Sequence, residues 1–125
     1  MEEQELDYFF DTYAVIELIE GNPNYNKYSE EQASITIFNL AEIYWVTLNK
    51  LGELEANKIY EEYKNAVVEI DDTTLKEAIK FRKEHKKQDI SYADAIGYIY
   101  AKRHNMKFLT GDKEFQNLSN VEFVK

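Results

Sequence analysis

The chain has 125 residues, 24 acidic and 15 basic side chains, a net charge of −9 and no cysteine. This length suits one domain with a single core, and the lack of cysteine excludes disulfides, thiolate metal sites and a cysteine nucleophile. No apolar run approaches the roughly 20 residues that a membrane-spanning helix needs, and the acidic N-terminus is unlike a basic signal peptide. We therefore expect a cytoplasmic protein that does not bind membranes.

The charge is distributed unevenly. Residues 1–20 contain seven acidic and no basic side chains, whereas residues 76–88 contain six basic and two acidic ones. An acidic region beside a basic segment suits an enzyme that holds a divalent cation and a polyanion together. The alternative for the basic segment is a solvated helix face with pairs of opposite charge four residues apart.

The first half of the chain predicts two strands and three helices. A buried strand at 6–11 ends at an aspartate and is followed by an apolar helix that stops at Gly21. The β-branched residues at 33–38 predict a second strand. Two helices follow at 39–52 and 53–66, the first of them ending at a glycine.

The second half continues the alternation of strands and helices. A third strand is predicted at 67–70, and a basic helix at 73–86. An apolar helix at 91–105 is then followed by short strands at 107–110 and 121–124. Such alternation is typical of the α/β class. We expect a central, mostly parallel sheet of about five strands flanked by helices.

The basic helix has a predicted cap and a predicted buried side. Asp72 is expected to cap its N-terminus. Leu75 and Ile79 are expected on the side that faces the core, together with Ala78 and Phe81.

Four acidic residues lie near the points where predicted strands end or helices begin. They are Asp11, Glu42, Asp94 and Asp112. Ligands of open α/β sheets bind beyond the carboxyl ends of the strands, so these acids are expected to gather along one edge. Each also has a structural explanation. Asp11 and Asp112 suit N-caps, while Asn39–Glu42 and Ser91–Asp94 have the spacing of capping boxes.

The joint arrangement favours a metal site over four independent caps. Two carboxylates a few ångströms apart repel by about 4 kcal/mol at an effective dielectric constant of roughly 20, and no basic partner is evident nearby. A divalent cation removes that cost. Because a set of oxygen ligands without His or Cys favours hard ions, we expect Mg²⁺ or Mn²⁺.

Four segments carry a resemblance to a known family. They read FFDTYAVIELIEG, TIFNLAEIYW, SYADAIGYIYAKRHNMKFLTGD and VEFVK, and they run in order from residue 9 to residue 125. The chain resembles the PIN-domain ribonucleases, and in size the VapC-type toxins of prokaryotic toxin–antitoxin pairs. The resemblance implies one PIN-like domain over 1–125 with a three-layer fold.

The resemblance also implies an activity and a set of site residues. The activity is Mg²⁺- or Mn²⁺-dependent hydrolysis of RNA, with Asp11, Glu42, Asp94 and Asp112 as catalytic residues and metal ligands. Thr110 and Thr12 are candidates to orient a metal-bound water. Tyr13 departs from the Asn or Ser that is usual in the family. Implied partners are RNA, a second copy of the chain and a small antitoxin. Candidate phosphate contacts in the basic helix are Lys80, Arg82, Lys83, Lys86 and Lys87.

Other functions stay open at the level of sequence. His85 and His104 could act as an acid–base pair through the RNA 2′-hydroxyl without a metal. The chain could also be a PIN fold without activity that serves as an interaction module, or a receiver-type phosphoacceptor. Tyrosines and a tryptophan on helices are expected to pack in the core or at a dimer contact rather than to stack on bases. These are Tyr44, Trp45, Tyr98 and Tyr100.

Overall fold

A computed structural model describes residues 7–125 and shows a sheet of four parallel strands. The strands are β1 (Tyr8–Phe10), β2 (Ala33–Ser34), β3 (Lys107–Thr110) and β4 (Val121–Phe123), in the order β2-β1-β3-β4. The chain moves from β1 to one edge of the sheet and from β3 to the other. The sheet therefore has its switch point between β1 and β3, where ligand sites of α/β folds lie. Residue 6 of the first predicted strand and residues 1–5 before it fall outside the described residues.

The predicted strand at 67–70 is wrong in the described structure. Only one parallel bridge is present there, between Ile35 and Val67, with hydrogen bonds from the Ile35 amide to the Ala66 carbonyl and from the Val68 amide to the Ile35 carbonyl. The reason lies in β2, where the backbone turns into a helix capped by Thr36. No extended edge remains beyond Ile35 to pair with the rest of the segment. The expected sheet of about five strands thus has four.

Five α-helices and two short 3₁₀ helices connect and cover the strands within residues 7–125. The glycine stops are confirmed. Gly21 closes the first helix in the left-handed region with φ 79°, and Gly52, with φ 86°, separates the second and third helices. No helix in this range has the length and hydropathy needed to cross a membrane. The α-helices are α1 (Thr12–Glu20), α2 (Ile37–Leu51), α3 (Glu53–Lys64), α4 (Asp72–Glu84) and α5 (Tyr92–Arg103), and the 3₁₀ helices are Pro23–Tyr28 and Lys113–Phe115.

Side chains of the strands alternate between two hydrophobic clusters, one on each face of the sheet. Phe9 and Phe108 pack in the cluster that includes α4 and α5, whereas Phe10 and Leu109 pack in the cluster that includes α1 and α2. Successive side chains of a strand point to opposite faces, so each central strand contributes to both clusters. The result is the expected α/β fold of three layers.

A close approach between α5 and the sheet sets the position of that helix. A Cβ atom placed on Gly97 would lie 2.5 Å from Cε1 of the Phe9 ring. Only a residue without a side chain therefore lets α5 pack this close to β1. The contact holds the first turn of α5, which contains Asp94, beside the end of β1.

The basic helix α4 differs from its prediction at its cap and on its buried side. Asp71, not Asp72, caps the helix, and its carboxylate accepts a hydrogen bond of 2.8 Å from the Thr74 amide. Leu75 and Ile79 are 41% and 42% exposed. The buried side is made by Thr74, Ala78 and the partly buried Phe81 because the helix packs on α5 along that side.

Candidate active site

The four predicted acids line one open cavity of about 540 Å³ at the carboxyl ends of β1 and β3. Asp11 follows β1, Asp112 follows β3, Glu42 projects from α2 and Asp94 from α5. The structure therefore brings together side chains that are up to 101 positions apart in the sequence. Their catalytic roles stay a prediction.

Asp11 is the most deeply buried of these acids, with 2% of its surface exposed. It caps α1, because one carboxylate oxygen accepts a hydrogen bond of 2.9 Å from the Ala14 amide, and the other accepts one from the hydroxyl of Thr110. Burial raises its pKa to about 8 despite these two bonds, and the charges of Asp94 and Asp112 add to the rise. Asp11 thus caps a helix, and its burial disfavours the charged form of its carboxyl group.

Asp94 forms the predicted capping box with Ser91. The Ser91 amide donates to the Asp94 carboxylate and the Asp94 amide donates to the Ser91 hydroxyl, both at 3.1 Å. Burial raises the pKa of Asp94 to about 6, with smaller contributions from the charges of Asp112 and Glu42. The capping explanation and the convergence of charges therefore both hold for this residue.

The predicted Asn39–Glu42 capping box is wrong. Helix α2 begins at Ile37, two residues earlier than expected, because Thr36 caps it and pairs with Asn39. Glu42 consequently lies in the second turn of the helix. Its carboxylate accepts a 2.6 Å hydrogen bond from the hydroxyl of Thr12, and that hydroxyl accepts one of 3.1 Å from the Asn39 side-chain amide. The capping residues of α2 thus hold the Glu42 side chain through Thr12.

Thr110 links two of the acids from below the cavity. Its hydroxyl donates to Asp11 and accepts a 3.0 Å hydrogen bond from the Asp112 amide. Asp112 in turn caps the second 3₁₀ helix by accepting from the Glu114 amide at 3.0 Å. Thr110 is fully buried and does not line the cavity, whereas Thr12 does. The structure therefore places the two candidate threonines differently, one beneath the carboxylates and one beside them.

Several residues of the cavity were not anticipated from the sequence. The expectation that no basic side chain lies near the acids is wrong, because Lys113 and Lys125 line the same cavity. Lys113 directly follows Asp112 in the sequence, so its place beside the acids could have been predicted from the sequence. Lys125 arrives through the pairing of β4 with β3, which no local pattern reveals. The other additional lining residues are Asp89, Ser91 and Gly111.

The donor set of the cavity suits a hard divalent ion, but the side chains do not form a ready cage. Carboxylate oxygens are the ligands that Mg²⁺ and Mn²⁺ prefer, and the raised pKa values of Asp11 and Asp94 indicate negative charge without enough compensation. Among residues 7–125, no group of three or more His, Cys, Asp or Glu side chains is arranged to hold an ion. The carboxylates of Asp11 and Asp94 instead accept hydrogen bonds from neighbouring amides and hydroxyls. The chemistry of the residues thus fits a metal better than their present arrangement does.

The candidate phosphate contacts separate into two groups. Arg82, Lys83 and Lys86 line a second cavity of about 300 Å³. Lys80 and Lys87 line neither this cavity nor the acidic one. Three of the five candidates are therefore brought together by the fold.

The two histidines lie away from the carboxylates. The Nδ1 atom of His85 is 2.9 Å from the Phe81 carbonyl oxygen, and the ring of His104 stacks on Tyr100 with centroids 4.1 Å apart. Neither histidine lines the acidic cavity. The metal-free histidine mechanism therefore gains no support from this site.

The fold and the cavity define an α/β domain with carboxylates at the switch point of a parallel sheet. The sequence profile of the PIN domain family matches residues 8–121, and the chain belongs to this family. No curated protein matches the chain.

Solved structures with the same fold include toxins of toxin–antitoxin pairs. A toxin–antitoxin complex from Klebsiella pneumoniae aligns at 20% identity and a TM-score of 0.73, covering 93% of this chain and 96% of that one. The sarcin–ricin loop cleaving toxin VapC20 of Mycobacterium tuberculosis aligns at 15% identity and a TM-score of 0.77, covering 95% of this chain and 100% of that one. DNA-bound VapBC from Salmonella typhimurium aligns at 16% identity and a TM-score of 0.71, covering 95% of this chain and 97% of that one. At these identities the likeness concerns the fold.

Proposed function

We propose that this chain is a ribonuclease that depends on Mg²⁺ or Mn²⁺ and hydrolyses RNA phosphodiester bonds as the toxin of a toxin–antitoxin pair. The observation that carries the proposal is the cavity lined by Asp11, Glu42, Asp94 and Asp112, in which burial raises the pKa of two acids. Membership of the PIN domain family and the fold shared with VapC20, a toxin that cleaves the sarcin–ricin loop, give further support.

The four acids would hold the ion, with Asp11 and Asp94 as principal ligands. When bound, such an ion lowers the pKa of a coordinated water and stabilises charge that develops on the phosphate. The chain itself orients the carboxylates. Thr110 holds Asp11, and Thr12 holds Glu42. Lys113 and Lys125 supply positive charge at the same cavity, where a phosphate would bind.

Cleavage of RNA under controlled metal conditions tests this function. Purified protein should cleave single-stranded RNA in Mg²⁺ or Mn²⁺, and EDTA should stop the reaction. The products should carry no 2′,3′-cyclic phosphate, because attack by water leaves the 2′-hydroxyl unused. An inactive interaction module would neither cleave RNA nor show a Mn²⁺ site by calorimetry. Cleavage that persists in EDTA and yields cyclic phosphates would favour the His85–His104 mechanism.

We also propose that the protein is a homodimer that uses the exposed side of α2. Ile37, Phe38, Trp45 and Leu48 lie on this side and are 54%, 43%, 68% and 39% exposed. The exposure of Trp45 contradicts the core packing expected for it and supports the other expectation, a contact at a dimer interface. Light scattering should give the mass of a dimer for the wild type and of a monomer for Trp45→Glu. An unchanged mass would remove α2 from the dimer contact.

An antitoxin is proposed as the second protein partner. Two of the structural neighbours are complexes of toxin and antitoxin, and the open acidic cavity gives a basic tail a place to bind. Co-expression with a short reading frame that adjoins the gene should yield a stable complex and suppress RNA cleavage. Cleavage at the wild-type rate in the presence of the co-purified partner would contradict this assignment.

A further inference from the structure

One short segment separates the acidic cavity from a second cavity of opposite charge. Gln88, Ile90 and Tyr92 line the second cavity, whereas Asp89 and Ser91 line the acidic one. The segment turns tightly at Asp89, where the Ile90 amide donates a 3.0 Å hydrogen bond to the Gln88 carbonyl, and its residues alternate between the two cavities. The two cavities are therefore adjacent, on either side of the same backbone. We call the second cavity the basic groove; its lining residues are Ile79, Arg82, Lys83, Lys86, Gln88, Ile90 and Tyr92.

The basic groove presents an aromatic ring fixed by a cation. The guanidinium carbon of Arg82 lies 4.1 Å from the centroid of the Tyr92 ring, a distance typical of a cation–π contact. The Nε atom of Arg82 donates a 2.9 Å hydrogen bond to the Ile90 carbonyl, which keeps the guanidinium in place. Tyr92 is nonetheless 56% exposed. Arg82 therefore holds the ring without covering it.

The lysines of the basic groove are available to bind an anion. Among the ion pairs within residues 7–125, none involves Lys83 or Lys86. The explanation of the basic segment as a helix face with paired charges therefore does not describe these two side chains. Other lysines of α4, such as Lys76, do not line the groove. Lys83 and Lys86 therefore differ from the other lysines of the basic segment because they line the groove.

We propose that the basic groove binds a nucleotide that flanks the cleaved bond of a single-stranded RNA, which rests on the nuclease function proposed above. A base stacks on the exposed part of Tyr92, while Arg82, Lys83 and Lys86 contact the backbone phosphates. A charged groove beside an aromatic ring is the usual design for single-stranded nucleic acid. Bases within a duplex are stacked on one another and cannot reach such a ring. The adjacent acidic cavity then receives the phosphate to be cleaved.

Binding measured in EDTA tests the groove independently of cleavage. The probe is a fluorescent single-stranded RNA of eight nucleotides, followed by anisotropy with the full chain. Lys83→Ala/Lys86→Ala should weaken binding about tenfold and reduce the salt dependence, since each phosphate contact releases counterions. The control Lys76→Ala/Lys102→Ala removes the same charge from exposed helix positions outside the groove and should bind within about twofold of wild type.

The stacking contact has its own variants. Tyr92→Leu should weaken binding about fivefold without altering the salt dependence, and Tyr92→Phe should bind like the wild type, because the ring and not the hydroxyl makes the contact. A duplex of the same sequence should be insensitive to Tyr92→Leu.

Three results would overturn the proposal. One is equal binding by the groove and control double variants, and another is wild-type binding by Tyr92→Leu. The third is a change of oligomeric state in Tyr92→Leu, which would make this face a contact between copies of the chain. Cleavage in Mg²⁺ distinguishes the two proposals. Wild-type protein that cleaves RNA while Tyr92→Leu binds normally refutes the groove alone, whereas wild-type protein that binds but never cleaves refutes the nuclease alone.

Discussion

The acidic cavity and the basic groove lie on opposite sides of residues 88–92 and are built in different ways. In the acidic cavity, Asp11, Glu42 and Asp94 each accept hydrogen bonds from hydroxyls or backbone amides that hold them in place. In the basic groove, Lys83 and Lys86 are exposed, and only Arg82 is held by neighbouring residues. A site for chemistry needs fixed groups, whereas a site for a flexible polyanion needs charge and reach. Substitutions in the acidic cavity should therefore change RNA cleavage and stability much more than substitutions in the basic groove.

The largest effect is expected from the acids themselves. Asp11→Asn or Asp94→Asn should lower RNA cleavage at least a hundredfold, because each removes a carboxylate proposed as a metal ligand while keeping a side chain that can still cap its helix. Single-turnover cleavage in Mg²⁺ measures the loss. Asp72→Asn, an exposed acid in the first turn of α4, serves as the control and should cleave normally. Normal cleavage by both cavity variants would show that the site assignment is wrong.

A smaller loss is expected when the support of the acids is removed. Thr110→Val keeps the shape of the side chain but removes the hydroxyl that contacts Asp11 and Asp112. We expect a ten- to hundredfold loss of cleavage. The pKa of Asp11 should also rise, since its hydrogen bond from Thr110 lowers that pKa, so the pH profile should shift upward. The matched variant Thr47→Val replaces a buried threonine of α2 away from the cavity. An equal loss of cleavage in this variant would mean that Thr110 acts only through packing of the core.

The stability of the metal-free protein should depend on pH through Asp11. Its pKa is about 8 in the folded chain and about 4 in an unfolded one. The folded state therefore binds the proton more tightly, and the stabilisation present below pH 4 is lost as the pH rises towards 8. In EDTA at pH 8, Asp11→Asn should melt about 5 °C or more above the wild type, and the difference should vanish near pH 4. If Asp11→Asn melts at a lower temperature than the wild type at pH 8, the charged form of Asp11 does not destabilise the folded protein, and the prediction is wrong.

The smallest effect on stability is expected in the basic groove. Lys83→Ala/Lys86→Ala should change the free energy of unfolding by about 0.5 kcal/mol or less, because exposed side chains without partners contribute little to folding. Urea denaturation measures this change. A loss of several kcal/mol would show that the groove is part of the structural framework and would remove its contrast with the acidic cavity.

Local signals in the sequence predicted much of the fold and part of the site. Gly21 and Gly52 ended helices as expected, and Ser91 formed its capping box with Asp94. Such features depend on hydrogen bonds between residues at most a few positions apart.

Two local predictions failed, because Thr36 and Asp71, and not Asn39 and Asp72, cap α2 and α4. The other errors arose where contacts between distant elements decide the structure. Segment 67–70 is not a strand, because only Ile35 of the neighbouring segment pairs with it. Leu75 and Ile79 face outwards because α4 packs on α5 through other residues.

The sequence by itself determined the class of fold, several of the helix caps and the acids that converge, because alternating strands and helices place the carboxyl ends of parallel strands at one edge. Only the tertiary structure decided how these groups are held and what lies beside them. It placed the Thr110 hydroxyl between Asp11 and Asp112, brought Lys125 to the cavity through β4, and set the basic groove behind residues 88–92. The physical reason is that these contacts depend on strand order and helix packing, which no local pattern specifies.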